Sequence, residues 1–196
     1  MTLFPLACLF LLFAYALGSI SSAVLMSRVF QLPDPRAQGS RNPGATNVLR
    51  LSGKPFAVGV LLFDVMKGFL PVMLAGMSGL SPTVQSIVGL CAVLGHMYPI
   101  FFGFKGGKGV ATALGLLYAL SWGLGAATLL LGLSVIALTR YVSLGSVVAI
   151  GMSPFFALLF YSRSVGVFGC LACVALWVIV RHKDNLRRLR AGTEPK

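Results

Sequence analysis

The chain has 196 residues, of which 57% are hydrophobic and 10% charged, a balance outside the range of soluble domains that implies an integral membrane protein. Its formal net charge of +12 would suit nucleic acid in a soluble protein, but the basic residues cluster in short stretches between apolar segments, so nucleic acid is not expected as a partner. Cys8, Cys91, Cys170 and Cys173 all lie in apolar stretches, and the Cys170–Cys173 pair has neither a histidine nor a second pair beside it; neither a disulfide nor a metal site is expected.

Leu3 to Ala23 is apolar and has no Lys or Arg before it, so it lacks the basic leader of a cleaved signal and reads as a retained first helix, N-terminus outside. Arg28 to Lys54 carries Arg28, Arg36, Arg41, Arg50 and Lys54, and Pro33, Pro35, Gly39, Pro43 and Gly44 break it into turns. It reads as an irregular cytoplasmic loop. Pro55 to Ala75 crosses outward, Gly76 to Ser81 is an uncharged exterior turn, and Pro82 to Phe102 returns. The run FFGFKGGKGVAT (Phe101–Thr112) then lies inside, as does the basic tail from Arg181 to Lys196, so an even number of crossings separates them. Two crossings need one segment, Val142 to Val180, that swallows Arg163. Four use Ser121–Gly123, Thr139–Tyr141 and Tyr161–Ser164 as turns. The expectation is therefore one all-α membrane domain, residues 1–196, with seven transmembrane helices (five as the alternative) and a cytoplasmic C-terminus. All of the 16 Lys and Arg except Lys67 and Arg163 then fall inside. Val110 to Leu120 is the short member, about 17 Å against a hydrocarbon core of roughly 30 Å.

The glycine-lysine run is the most distinctive stretch. Gly103, Gly106, Gly107 and Gly109 allow positive φ and close approach, Lys105 and Lys108 supply charge, and the helix from Val110 points its positive end the same way. The expected ligand is an anion; the alternative is a basic turn that merely obeys membrane topology. A nucleotide-binding P-loop is excluded because Lys108 is followed by Gly109, not Ser or Thr. In GSRNPGATNVLR (Gly39–Arg50), Ser40, Asn42, Thr46 and Asn47 offer hydrogen bonds and Arg50 a planar fork for phosphate, although Ser40 or Thr46 would serve equally as a helix cap. His182 and Asn185, three apart in the tail, can meet one substrate group, or belong to a basic face that sits on anionic lipid. His96, near the cytoplasmic end of the third helix, is a functional candidate or a neutral hydrogen-bonding spacer. Asp64 and Lys67 are expected to form a structural ion pair; a proton relay would need more carboxylates.

The blocks GSISSAVLMSR (Gly18–Arg28), DPRAQGSRNPGATNVLR (Asp34–Arg50), FDVMKG (Phe63–Gly68), LGHMYPIFFGFKGGKGVAT (Leu94–Thr112) and RHKDNLRRL (Arg181–Leu189) span nearly the whole chain. In them the sequence resembles the bacterial acyl-phosphate:glycerol-3-phosphate acyltransferases, enzymes of the cytoplasmic (inner) membrane that begin phospholipid synthesis. The resemblance implies transfer of a fatty acyl group from acyl phosphate to the 1-hydroxyl of sn-glycerol 3-phosphate, giving lysophosphatidic acid and phosphate. It implies no cofactor, no direct use of coenzyme A or acyl carrier protein, and a functional link to a phosphate acyltransferase that supplies the acyl phosphate. The family's functional serine and arginine fall on Ser40 and Arg50, with Asn42, Thr46 and Asn47 between them. Its glycerol 3-phosphate block falls on Lys105, Gly106, Gly107, Lys108 and Gly109, and its functional histidine and asparagine on His182 and Asn185; His96 is grouped with the substrate-binding residues. Arg41 stands where the family commonly has a second glycine, and Ser21 where proline is frequent.

Both substrates would carry phosphate and one a long chain, so cations at a membrane surface beside a lipid-accessible groove fit the chemistry. The mixed anhydride needs no acyl-enzyme. His182, near neutral pKa, is the expected base unless a substrate phosphate takes the proton. A membrane carrier for phosphorylated solutes is the alternative, against which stand the lack of an inverted repeat and the placing of the polar residues at one face. A scaffold that attracts anionic lipid would not require the paired glycines or the Ser40–Arg50 spacing.

Overall fold

The computed structural model describes residues 3–161 and 164–196, and these contain helices, turns and bends but no strand. The first apolar segment is α1 (Leu3–Gly18), followed after a bend of 45° by α2 (Ser22–Val29). The single helix expected from Leu3 to Ala23 is thus interrupted. The interruption is held by distant partners: Lys67 Nζ donates to the Ile20 carbonyl at 3.0 Å and Ser22 Oγ to Asp64 at 2.9 Å, supplying the hydrogen bonds that a bent helix in an apolar medium loses. The stretch read as an irregular basic loop contains α3 (Ala45–Ser52), an amphipathic helix that buries Asn47 and Val48 against α4 (Lys54–Met77). Then come α5 (Pro82–Met97), a 3-10 turn at Ile100–Phe102, α6 (Val110–Leu120), α7 (Trp122–Thr139), α8 (Val142–Phe160), α9 (Val165–Arg181) and α10 (Lys183–Arg190).

Four segments, α4, Pro82–Phe102, α7 and α8, are long and apolar enough to cross a membrane; α1 with α2, and α9 with α10, pass only as bent pairs, the second bent by 58°. With 11 residues, α6 is the short apolar helix anticipated. Val142 to Val180 is not one helix but two, α8 and α9, packed together. Arg163, assigned to the turn between them, lies outside the described residues.

Small residues let the helices touch. A Cβ on Gly68 would stand 2.0 Å from the Thr112 carbonyl oxygen and one on Gly115 2.0 Å from that of Val65, so α4 and α6 meet backbone to backbone. Gly18 and Gly95 do the same for α1 and α5, at 2.2 Å from the Ala92 oxygen and 2.4 Å from the Tyr15 oxygen. Such close approach is how helices associate where lipid removes the hydrophobic drive. The core lies along α5, with Val88, Val93 and Met97 meeting Val72, Leu116, Leu171 and Val178, while Leu12, Leu62, Leu130, Leu159 and Leu176 face outward.

Candidate active site

Lys108 is the hub. Gly109, at φ +83°, starts α6 in a conformation that favours glycine, and the lysine just before it reaches the oxygen of Asn185 in α10. Asn185 is held from its other end, its Nδ2 donating to Glu194 Oε1 at 2.6 Å, which fixes which end of the amide faces Lys108. Glu194 also accepts from Ser143 Oγ and Arg188 Nε, each at 2.7 Å. The tail therefore folds back and ties α8 and α10 to the glycine-lysine run. Arg181 clamps the run from α9, donating from Nη2 to the Gly106 carbonyl at 2.7 Å and from Nε to that of Gly107 at 3.2 Å, with its guanidinium 5.4 Å from the centre of the Tyr98 ring.

Among the described residues, the charges that act on Lys108 are the carboxylate of Glu194 and the guanidinium groups of Arg188, Arg181 and Arg50. Burial, chiefly, lowers the Lys108 ammonium to about 8; Glu194 opposes this, and Arg188, Arg181 and Arg50 push the same way as burial. A buried ammonium with three arginines acting on it against one carboxylate is a site that gains from an anion. Burial raises the Glu194 carboxyl, but hydrogen bonds from Asn185, Ser143 and Arg188 outweigh it and hold the group below the usual range.

His182, 3% exposed, stands between α9 and α10 and does not cap α10 with its side chain. Its Nδ1 lies 2.8 Å from the Val178 carbonyl; because a carbonyl only accepts, the neutral ring carries its proton there and leaves Nε2 basic. Burial first, then Lys108, lower its pKa to about 4, with the Val178 bond and Glu194 opposing. This differs from the near-neutral value expected, because the sequence does not show how deeply the ring is buried or that Lys108 faces it.

The first loop is shaped by Asn47, 1% exposed: Nδ2 donates to the Pro35 and Gln38 carbonyls at 2.9 and 3.1 Å, and Oδ1 accepts from Ser40 N–H at 2.9 Å. Arg41 adopts φ +57°, so the left-handed turn that the second glycine would take is made here by arginine, between Gly39 at φ +62° and Asn42. Gly44 is the N-cap of α3 and receives no side-chain cap bond, so neither Ser40 nor Thr46 is engaged as a cap. Both are exposed, Asn42 is half-buried, and Lys105 is exposed on the glycine run. Arg50, exposed on α3, is the loop residue whose charge reaches Lys108. Among the described residues, no hydrogen bond or ion pair joins Ser40, Asn42 or Thr46 to Lys108 or His182.

Two readings of the glycines change. Positive φ occurs at Gly103 and Gly109, not at Gly106 or Gly107. The latter two are buried because a Cβ on either would meet His96, 2.0 Å from its carbonyl oxygen for Gly106 and 2.1 Å from Nε2 for Gly107, and the Gly107 N–H donates to the His96 carbonyl at 3.1 Å instead of facing outward. His96 itself is buried beneath the run, its Nδ1 3.5 Å from Asp64. Asp64 and Lys67 form the expected ion pair at 2.8 Å. Arg181, Ser143 and Glu194 were not singled out from sequence. A usable signal existed for Glu194, one of only four acidic residues and set in a basic tail.

An apolar groove between α6, α7 and α8, lined by Val110, Leu114, Leu133, Ile136, Gly145 and Ala149, begins two residues from both Lys108 and Ser143. Fold and site together define a multi-pass membrane protein with a cationic cluster two residues along the chain from an apolar groove. Comparison with known proteins narrows the class. Residues 8–192 match the family model described as glycerol-3-phosphate acyltransferase. Glycerol-3-phosphate acyltransferases of Vibrio cholerae serotype O1 and Photobacterium profundum are each 49% identical over 195 residues, covering 98% of this chain and 91% and 93% of theirs. The crystal structure of PlsY (YgiH), an integral membrane glycerol 3-phosphate acyltransferase, superposes in its glycerol 3-phosphate form with a TM-score of 0.92 at 41% identity, over 97% of this chain and 94% of that one; its lysophosphatidic acid form gives 0.89 at 40%, over the same shares. The chain belongs to the glycerol-3-phosphate acyltransferase family and is an acyltransferase of phospholipid synthesis.

Proposed function

We propose that the protein transfers a fatty acyl group from acyl phosphate to the 1-hydroxyl of sn-glycerol 3-phosphate, releasing lysophosphatidic acid and inorganic phosphate. The supporting observation is the junction of the Lys108–Asn185–Glu194 cluster and its three arginines with the apolar groove at Val110, since one end suits phosphate and the other an acyl chain. Family membership and the glycerol 3-phosphate and lysophosphatidic acid forms of PlsY agree with the acceptor and product.

In this reading Lys108 and Lys105 hold the phosphate of glycerol 3-phosphate beside the first turn of α6. Ser40 and Asn42 of the first loop, with Thr46 and Arg50 of α3, hold the acyl phosphate, and Asn47 keeps that loop folded. Asn185 orients the acceptor. The acceptor hydroxyl oxygen attacks the acyl carbonyl carbon, the bond from that carbon to the phosphate oxygen breaks, and phosphate leaves with the electron pair. The proton goes to His182 Nε2 or to a substrate phosphate oxygen. Phosphate dianions raise the His182 pKa from about 4 toward the range of a useful base, because they offset Lys108. Reaction needs no acyl-enzyme; held geometry and cations on the developing charge suffice. We assign seven crossings, α1 and α4 to α9, with the N-terminus outside and the site on the cytoplasmic face of the inner membrane, which puts the basic loop, run and tail together. The test is stoichiometric: one inorganic phosphate released per glycerolipid formed supports the reading, and glycerolipid formed without phosphate release overturns it.

A further inference from the structure

Beneath the glycine-lysine run lies a set of buried charges that the reaction does not use. Asp64 and Lys67 on α4 are each 2% exposed and paired at 2.8 Å. Asp64 also accepts from Ser22 Oγ at 2.9 Å and lies 3.5 Å from His96 Nδ1; Lys67 donates to the Ile20 carbonyl at the α1–α2 break. The other edge of the His96 ring, Nε2, faces Gly107, where a Cβ would stand only 2.1 Å away, and the His96 carbonyl takes the Gly107 N–H. Gly107 is thus seated on His96 from below and tied by Arg181 at its carbonyl. A buried ion pair seldom adds net stability over apolar packing, and a charge within a membrane helix is costly. What this set does supply is register, since it fixes α2, α4, α5 and the run against one another.

We propose that His96, braced by the Asp64–Lys67 pair, is a positioning residue that sets the seat of Gly106–Lys108 and thereby the affinity for glycerol 3-phosphate, without touching either substrate. This revises the sequence expectation that His96 binds substrate, and it rests on the reading of Lys108 as a phosphate contact. The two edges of the ring have separate tasks. Asn reproduces the Nδ1 edge toward Asp64 but leaves a gap under Gly107, whereas Gln reproduces the Nε2 edge and keeps the seat.

The test compares initial rates of purified His96→Asn, His96→Gln, Gly107→Ala and the double variant Gly107→Ala with His96→Asn, at varied glycerol 3-phosphate and varied acyl phosphate. Expected are a rise of at least tenfold in KM for glycerol 3-phosphate in His96→Asn against no more than threefold in His96→Gln, with kcat within threefold and the acyl phosphate KM within twofold for both. Gly107→Ala raises the same KM, and in the double variant the added methyl fills the gap, so that its KM lies well below the product of the two single effects. A larger effect in His96→Gln than in His96→Asn, multiplicative behaviour in the double variant, or a loss confined to thermal stability overturns the proposal. If His96→Asn does not fold, the comparison of Gly107→Ala alone with Gly107→Ala plus His96→Gln decides: shared contact gives non-multiplicative effects, and independence overturns the proposal. Lys108→Ala is run alongside. A KM for glycerol 3-phosphate unchanged in Lys108→Ala overturns the reading of Lys108, and the proposal with it; a large rise there, with His96 and Gly107 independent, overturns the proposal alone.

Discussion

Replacing Arg181 by methionine should weaken glycerol 3-phosphate binding more than it slows chemistry, because Arg181 touches the backbone that carries Lys108 and not the reacting atoms. The charge-assisted bond to the Gly106 carbonyl at 2.7 Å is worth about 1.5–3 kcal/mol, while the longer bond to Gly107 at 3.2 Å and the guanidinium over Tyr98 at 5.4 Å add about 0.5–1 kcal/mol each. The side chain is half-buried, so the low ends apply and the sum is about 2.5 kcal/mol. If all of it holds the run in its binding conformation, KM rises at most about 60-fold, at tenfold per 1.4 kcal/mol. Lysine keeps the charge and one bond, so Arg181→Lys should give a rise of about tenfold. The assay is initial velocity against glycerol 3-phosphate at saturating acyl donor, with amide hydrogen exchange of residues 103–109 measured on the same preparations. Faster exchange with raised KM is expected. A KM within twofold of the parent in Arg181→Met, or a loss in kcat alone, would refute the assignment of Arg181 as the clamp.

Four further outcomes are expected. The Lys108 ammonium, lowered to about 8 by burial and its arginine neighbours against Glu194, should make the KM for glycerol 3-phosphate climb by up to about tenfold per pH unit above 8; Lys108→Arg should abolish the climb. His182 binds its proton near pH 4 when folded but near 6.5 when unfolded, so the unfolded state binds more protons in that interval. Stability should therefore fall by up to about 3 kcal/mol as pH drops from 6.5 to 4, and thermal unfolding of His182→Asn should lose this dependence. Glu194→Ala leaves Asn185, Ser143 and Arg188 without their partner and should cost about 3 kcal/mol in unfolding free energy, with Glu194→Gln costing less. Gly115→Val drives a side chain into the Val65 carbonyl and should cut the yield of folded protein by separating α4 from α6, whereas Gly151→Ala, where a Cβ has nothing within 4 Å, should not.

What could be read from the chain followed from rules local in sequence. Apolar length marked α4, α5, α7 and α8, turn signals and an even number of crossings marked α6 and α9, and the clustering of Lys and Arg pointed to one face for the first loop, the glycine run and the tail. The Asp64–Lys67 pair followed from three-residue spacing on a helix. What could not be read was fixed by partners far along the chain. The break after Gly18 depends on Lys67 and Asp64, more than 40 residues away. Amphipathic α3 needs α4 to bury Val48, so its proline- and glycine-rich approach looked like loop. The glycines at 106 and 107 looked like devices for meeting a ligand, yet they are small because His96 fills the space behind them. Arg41 shows the reverse case, a left-handed position held by a residue that propensity disfavours. Ser143 and Glu194, 51 residues apart, carry no local mark of their meeting.

The most direct test of the account is acyl transfer by the purified protein in detergent, with radiolabelled glycerol 3-phosphate and palmitoyl phosphate in one tube and palmitoyl-CoA in another. The account predicts lysophosphatidic acid from the acyl phosphate tube alone. Product from the thioester alone would contradict the donor assignment, and no product from either, with the protein folded, would contradict the proposed reaction.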